Sequence, residues 1–217
     1  MNLISTEIPN GLFERDGSGY VGALATLFEE ASKRSGVSIN YRIVPWVRAV
    51  KETESSDNLI LFPFTRTAER EDRFTWITPL KEDDMCFASS DMRIDTLDEA
   101  RHLTRIIVWR GTSQQSFLES HNFKNLITVS NIERIIQVLK ASPEAAWYYI
   151  CDEAQSYIDP EKKHFTLILG KPVAREATWL ASGRAFKPTP ETQRFTQAIN
   201  ELRGENFLTD LLSKIKK

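Results

Sequence analysis

The sequence is short of the residues that bind metals and cross-link small domains. Its 217 residues include two cysteines and three histidines. Two cysteines are too few for a disulfide framework, so Cys86 and Cys151 form either one bridge or two buried thiols. We favour two thiols, because free cysteine is among the most buried residue types.

Signs of catalysis are missing as well. His102, His121 and His164 lie in unrelated polar segments without metal-ligand spacing, and each is interpreted as a surface residue. The carboxylates that follow Cys151 disfavour the thiolate that a catalytic cysteine needs. The chain contains no GxSxG elbow, GxGxxG fingerprint or P-loop. We therefore expect no metal site, no cofactor and no catalytic residue.

Long apolar runs and blocks of like charge are also absent. The longest apolar run, residues 59–64, has the length of a buried strand and not the roughly 18 residues of a membrane span. The 28 basic and 30 acidic side chains, with a net charge of −2, are spread along the chain. This pattern argues against nucleic acid or membrane as a partner.

The N-terminus lacks the basic and apolar regions of a signal peptide. The chain is therefore either cytoplasmic or a mature form whose signal was replaced by a start Met.

Apolar periodicity predicts alternating strands and helices, and hence an α/β fold with parallel neighbours. The predicted strands are 2–6, 37–43, 58–62, 105–109, 126–129, 146–150 and 165–169. The predicted helices are 22–35, 46–53, 96–102, 113–118 and 132–139, followed by two more on either side of Gly204. A loop is expected at 15–19.

No Gly/Ser linker divides this chain. Apolar joins near 85–88 and 178–181 instead favour two lobes joined by strand-like crossings, with the C-terminal helices packing on the first lobe. The expected first lobe comprises residues 1–88 and 180–217, and the second comprises residues 89–179.

Two polar turns follow predicted strands. Residues 65–70 (TRTAER) place hydroxyl and guanidinium groups after the strand at 58–62, and residues 110–113 (RGTS) follow the strand at 105–109. Such turns suit a carboxylate, although each alone also fits a plain helix N-cap. Because open α/β sheets bind ligands at the carboxyl ends of their strands, we interpret the pair as two parts of one carboxylate site.

These residues resemble a known family. Residues 64–80 (FTRTAEREDRFTWITPL) resemble the "T-x-T-x-x-R … F-[ST]-x-P" signature of type II periplasmic solute-binding proteins, above all the amino-acid-binding family 3. Ser5-Thr6-Glu7, the loop at 16–22, Gly111-Thr112-Ser113 and Cys151-Asp152-Glu153 match further pieces in order along nearly the whole chain.

The resemblance implies a mixed sheet flanked by helices in each lobe, two crossing strands, and a ligand held as the lobes close. Arg70 would grip the ligand's α-carboxylate, helped by Thr65 and the main-chain carbonyl near Pro63. Thr112 and Ser113 would close on the carboxylate from the second lobe. The remaining implied contacts are Asp152 to the α-amino group, Glu7 near the same pocket, and Trp46 as an apolar wall.

The sequence departs from the family at two points. Phe62-Pro63-Phe64 replaces a small, polar stretch, and residues 143–147 (PEAAW) lack the usual Asp. Trp46, Trp109 and Trp147 are candidates to approach the cleft, which admits an aromatic or modified ligand. Trp76 and Trp179 are interpreted as core residues.

The function that the resemblance implies is capture of an amino-acid-like carboxylate. A monomer in the periplasm would deliver it to an inner-membrane ABC permease without chemistry. One alternative is a sensing domain of the same fold in a signalling protein. Another is a dehydratase-like cleft enzyme, for which Glu7 and Asp152 are the only plausible acid/base residues.

Overall fold

The computed structural model describes residues 1–8, 11–17, 19–156 and 167–215. The strands are β1 Asn2–Ser5, β2 Glu14–Asp16, β3 Gly19–Val21, β4 Asn40–Ile43, β5 Leu59–Thr65, β6 Phe74–Ser89, β7 Arg105–Trp109, β8 Leu126–Val129, β9 Ala145–Ile150, β10 Ile168–Leu169 and β11 Ala174–Gly183. The helices are α1 Ala23–Ser35, α2 Trp46–Glu54, α3 Leu97–Arg101, α4 Ser113–Ser120, α5 Ile132–Ala141, α6 Cys151–Ser156, α7 Pro190–Gly204 and α8 Phe207–Ile215. Within the described ranges, every helix is too short or too polar to cross a membrane.

The chain divides into two compact units, residues 1–81 with 177–217 and residues 82–176. Both divisions fall inside strands, since β6 and β11 each run from one unit into the other. The predicted two-lobed α/β fold with two crossing strands is confirmed.

The first unit is a mixed sheet covered by helices. Its strand order is β4-β1-β5-β11, in which β1 is parallel to β4 and β5, and β11 is antiparallel to β5. The apolar positions of α1 recur at helical spacing and pack with α7 over the sheet. Gly36 ends α1 with φ 66°, the left-handed conformation that glycine adopts at the ends of helices. Phe13, Phe28 and Phe62 are fully buried in this core.

The second unit has the strand order β6-β9-β7-β8, with β10 paired to β6. The central strand β7 is parallel to both β8 and β9, whereas β9 is antiparallel to β6. Apolar side chains cover both faces of this sheet, in two clusters centred on Phe87 with Tyr148 and on Trp147. Because β7 and β9 are parallel, their carboxyl ends lie at the same edge of this sheet.

Three predicted segments differ from the structure. The loop expected at 15–19 overlaps the strands β2 and β3, which pair as an antiparallel hairpin. The strand expected to end at residue 62 continues through Thr65, because β11 pairs with it up to Thr178. A single 3-10 turn, Ala68–Arg70, stands where a helix N-cap was one of the two interpretations. The strand expected at 165–169 is described only as β10, and residues 165 and 166 lie outside the described residues.

The preference for two free thiols was wrong. Cys86 and Cys151 form a disulfide with a Cα–Cα distance of 5.0 Å. It joins the carboxyl-terminal part of β6 to the first residue of α6 within the second unit. The two residues are 65 positions apart, and their local sequence carries no signal of the pairing.

Candidate functional site

The first unit presents its polar turn at the carboxyl end of β5. Pairing with β1 ends at Leu61, and only β11 accompanies the strand from there to Thr65. Pro63, which has no N–H to donate, lies in this outer part of the strand. The side chain of Thr65 is buried, whereas Pro63 is half-buried.

Arg70 is the buried cation of this turn. Its side chain is 6% exposed, and its Nη1 donates to the Thr65 carbonyl oxygen over 3.0 Å. Its guanidinium carbon lies 4.3 Å from the centroid of the Phe64 ring. The carbonyl and the ring face hold the guanidinium in place, since both attract a cation. The structure thus brings Arg70 and Thr65 together.

Aromatic side chains surround Phe64, the ring that Arg70 packs on. Phe64 stacks on Trp76 with centroids 5.5 Å apart and touches Phe74 at 4.8 Å. Trp46, the first residue of α2, is half-buried with its ring 6.0 Å from that of Phe64. Trp76 packs against this small core from one side, as the core interpretation expected. Trp46 therefore lies next to the Phe64 ring, on which Arg70 packs.

Glu7 lies near the same edge but is not held there. It is exposed and follows β1, whose Ile4 pairs in parallel with Leu61 of β5. Across the described parts of the chain, neither a hydrogen bond nor an ion pair connects Glu7 to Arg70 or Thr65.

In the second unit, Thr112 and Ser113 begin α4 directly after β7. Thr112 is the N-cap residue, and its hydroxyl donates to the Trp109 carbonyl oxygen over 2.8 Å. Ser113 is buried, and its hydroxyl donates over 2.7 Å to a carboxylate oxygen of Glu176. Both hydroxyl protons are therefore directed at acceptors of the protein itself.

Glu176 was missed by sequence reasoning. It lies 63 residues from Ser113. In the sequence, the charged pair Arg175-Glu176 resembles the solvent-exposed residues of any strand. Burial, together with the nearby Glu176 charge, raises the pKa of the Tyr148 phenol well above its usual value. The Tyr148 hydroxyl is buried and has no hydrogen-bond partner in the described part of the chain. Glu176 thus makes this edge of the second unit acidic.

Asp152 is the second residue of α6, next to the disulfide at Cys151. Its side chain is exposed. Because β9 runs parallel to β7, Asp152 and the start of α4 follow strands that end at the same edge. Asp152 and Ser113 therefore lie at the same edge of the second unit's sheet.

Of the two candidate tryptophans in the second unit, Trp147 differs from the expectation. Trp147 is 0% exposed and lies in the core, so it is not available to a ligand. It is buried because its position on β9 faces the cluster with Ile107 and Leu139. Trp109 is half-buried, and its ring centroid lies 6.5 Å from that of Tyr149.

No cluster of His, Cys, Asp or Glu suited to a metal occurs in residues 1–8, 11–17, 19–156 and 167–215. His102 is exposed and His121 is half-buried, while His164 lies outside the described residues. A groove of about 640 Å³ lies in the first unit between the start of β6 and α7. Its lining, which includes Trp76, Gln193 and Gln197, contains none of the expected ligand residues.

No protein-family model matches the sequence, and no protein of curated function matches it. Similarity is found among solved structures. A histidine kinase sensor domain with similarity to periplasmic binding proteins superposes with a TM-score of 0.81 at 13% identity, covering 99% of this chain and 94% of its own. The glutamate complex of the GluR0 ligand-binding core from Nostoc punctiforme gives 0.77 at 16% identity, covering 98% and 97%.

An amino-acid ABC transporter substrate-binding protein from Streptococcus pneumoniae, bound to L-arginine, gives a TM-score of 0.79 at 13% identity, covering 99% and 93%. These neighbours are ligand-binding proteins and sensor domains. The fold of the chain is therefore that of type II periplasmic binding proteins, as the sequence resemblance predicted.

Proposed function

We propose that this chain captures a small amino acid or a related carboxylate and performs no chemistry on it. The observation that carries the proposal is Arg70, a guanidinium only 6% exposed at the carboxyl end of a strand in a parallel arrangement. Open α/β sheets bind ligands at this edge. An arginine held by a ring and a carbonyl is prepared to pair with a carboxylate.

The proposed ligand contacts divide between the two units. In the first, Arg70 pairs with the ligand's carboxylate, Thr65 and the Pro63 carbonyl orient it, Trp46 walls its side chain, and Glu7 lies nearby. In the second, Asp152 accepts from the ammonium group. Thr112 and Ser113 remain proposed partners of the carboxylate.

The hydroxyl protons of Thr112 and Ser113 already have acceptors. In this proposal the two hydroxyls hold the start of α4 in place before a ligand binds. Ligand binding then turns them toward the carboxylate.

Delivery to an inner-membrane ABC permease by a monomeric periplasmic protein is the first proposed setting. The arginine-bound substrate-binding protein supports it, since the two folds agree over nearly the whole of both chains. The Cys86–Cys151 disulfide also supports it, because such bonds persist in oxidising compartments.

Sensing is the second candidate setting. The observation that favours it is the similarity to a histidine kinase sensor domain over 99% of this chain. Uptake of the radiolabelled ligand by cells with and without the gene distinguishes the two settings. Loss of uptake on deletion supports transport, and unchanged uptake with a lost transcriptional response to the ligand supports sensing.

Ligand capture itself is tested on the freshly purified protein. Native mass spectrometry reports any retained molecule, and a thermal-shift screen follows with amino acids and small carboxylates. A ligand at 100 times its Kd stabilises the folded state by about 2.7 kcal/mol, an easily seen shift. A panel of amino acids and dicarboxylates that produces no shift and no retained mass contradicts the proposal. Product masses after incubation would instead indicate an enzyme.

A further inference from the structure

A second guanidinium lies beside the Arg70 turn on the first unit. Arg66 follows the last residue of β5, and its guanidinium carbon lies 5.5 Å from the Trp76 ring centroid and 4.8 Å from that of Trp179. The two rings meet edge to face, with centroids 6.3 Å apart. Both ring faces attract the cation, so its orientation is restrained before any ligand arrives.

The side-chain hydrogen bonds of Arg66 involve one edge of its guanidinium group and leave the Nη1 edge available. Its Nε donates to Glu71 over 2.9 Å, and its Nη2 donates to the other carboxylate oxygen of the same residue. A guanidinium has five N–H groups. Within the described ranges, Nη1 has no hydrogen-bond partner. The side chain is 38% exposed, so this edge is accessible.

The pairing with Glu71 does not prevent further binding. Both side chains of the pair are solvent-exposed, and ion pairs of this kind contribute little to stability. The open Nη1 edge can therefore take an anion beside Glu71 or in its place. The geometry of a flat fork suits a carboxylate.

Arg66 and Arg70 border the same run of rings. Arg70 lies over Phe64, Phe64 stacks on Trp76, and Arg66 lies over the same Trp76. A ligand with one carboxylate needs only one of these cations. The other one attracts a second anionic group and repels a cationic side chain.

We infer that the ligand carries a second anionic group, bound by Arg66, and that it is an acidic amino acid or a dicarboxylate. The inference rests on the proposed function and specifies the ligand class of the same site. Arg66 is thus a specificity-determining residue, while Arg70 provides the general carboxylate grip. Neutral amides of the same shape bind more weakly, because an amide gives the fork a single, uncharged acceptor.

Calorimetry with matched ligand pairs tests the inference. The pairs are L-glutamate with L-glutamine, L-aspartate with L-asparagine, and succinate with succinamate, and L-arginine is the cationic probe. We expect at least one acid to bind the wild type tenfold or more tightly than its amide. Arg66→Gln should abolish this preference and leave the affinity for the amide within about threefold.

Arg73→Gln is the matched control. Arg73 is also an exposed arginine with two bonds to one glutamate, Glu54, and it lies 5.9 Å from the Phe74 ring centroid. We expect this variant to keep the preference for the acid. Circular dichroism and melting curves of both variants separate ligand effects from loss of folding. Arg66→Lys retains the charge without the fork and should keep only part of the preference.

Three results would overturn the inference in different ways. If Arg66→Gln lowers the affinity for acid and amide equally, Arg66 does not recognise the second anionic group. If the wild type binds only neutral or basic amino acids, the inference fails but the proposed function stands. If it binds no amino acid and no dicarboxylate, both fail.

Discussion

At the scale of single residues, Arg70 differs from the other arginines of its turn. Arg66 and Arg73 are exposed, whereas Arg70 is buried against a ring and a carbonyl oxygen. Desolvating a cation is costly unless other groups compensate. In the proposed function, the ligand's carboxylate adds to the compensation that the Thr65 carbonyl oxygen and the Phe64 ring already give.

We predict that Arg70→Ala weakens ligand binding by roughly 2–5 kcal/mol, because truncating a desolvated charge pair leaves the other charge unpaired. Calorimetry with the ligand found in the screen measures the loss. Arg73→Ala, in the same turn but exposed, is the control and should bind normally. A folded Arg70→Ala protein that binds within about threefold of the wild type would falsify the carboxylate assignment.

Ser113 and Glu176 offer a second residue-scale prediction. Hydrogen bonds to charged groups contribute roughly 1.5–3 kcal/mol when buried, and Glu176 is half-buried, so a coupling of about 1 kcal/mol is expected. The variants Ser113→Ala, Glu176→Gln and their combination form a double-mutant cycle in urea unfolding. A control cycle combines Ser113→Ala with Glu144→Gln, which changes an exposed acid of the same unit. The effects of these two substitutions should be additive. Additivity in the first cycle would show that the bond contributes nothing.

At the scale of elements, the disulfide connects β6 to the start of α6. Its 65-residue separation predicts a stabilisation of about 4 kcal/mol by the chain-entropy model. Cys86 and Cys151 are the only cysteines in the sequence, so dithiothreitol acts on this bond alone. We expect reductant to lower the unfolding free energy by roughly 2–4 kcal/mol. The variant with both cysteines changed to alanine should not respond, and an unresponsive wild type would contradict the bond.

The entry into α1 depends on Gly22. Its φ is 112°, and a Cβ at this position would lie 2.5 Å from the Leu12 carbonyl oxygen. That carbonyl accepts a hydrogen bond from the Leu24 N–H over 3.0 Å. It cannot move away without losing this bond to the first turn of α1. Gly22→Ala should destabilise by roughly 1–3 kcal/mol or more. Gly204→Ala, where a Cβ has open space, should change stability by at most about 1 kcal/mol. Equal melting temperatures for the two variants would refute this reading.

The elements that the sequence predicted well are those set by local periodicity. The stripe of apolar residues in α1 and the short apolar run of β7 fix these elements within one residue. The end of β5 was missed, because it is set by pairing with β11 more than a hundred positions away. The hairpin β2–β3 was missed because it is polar. Tyr20, its one ring in the core, stacks on Phe13 at 4.9 Å.

The site was predicted unevenly for a similar reason. Arg70 and Thr65 belong to one continuous motif, and the structure joins them by a hydrogen bond. Glu176 belongs to no motif with Ser113, and only the fold brings the two together. The stack of Arg66 on Trp76 and Trp179 depends on the fold in the same way, because Trp179 lies more than a hundred positions further along the chain.

At the scale of the whole molecule, each unit contains, among its described residues, a tyrosine whose buried hydroxyl reports on the packing of that unit. Burial raises the pKa of Tyr41 in the first unit and of Tyr148 in the second far above the ordinary value. In the part of the chain that the structure describes, neither hydroxyl has a hydrogen-bond partner. Each phenol therefore stays neutral in the folded state at pH values where it ionises in the unfolded chain.

This difference predicts alkaline destabilisation. A raised pKa in the folded state means that the unfolded chain binds fewer protons, so stability is retained below pH 10 or so and falls as the pH rises further. Urea unfolding between pH 8 and 11 should show a shallower fall for Tyr41→Phe and for Tyr148→Phe, and the shallowest for both together. Tyr148→Phe should cost little at pH 8, because it removes a buried hydroxyl that has no partner. An unchanged pH slope in both variants would mean that the two phenols ionise without disturbing either unit.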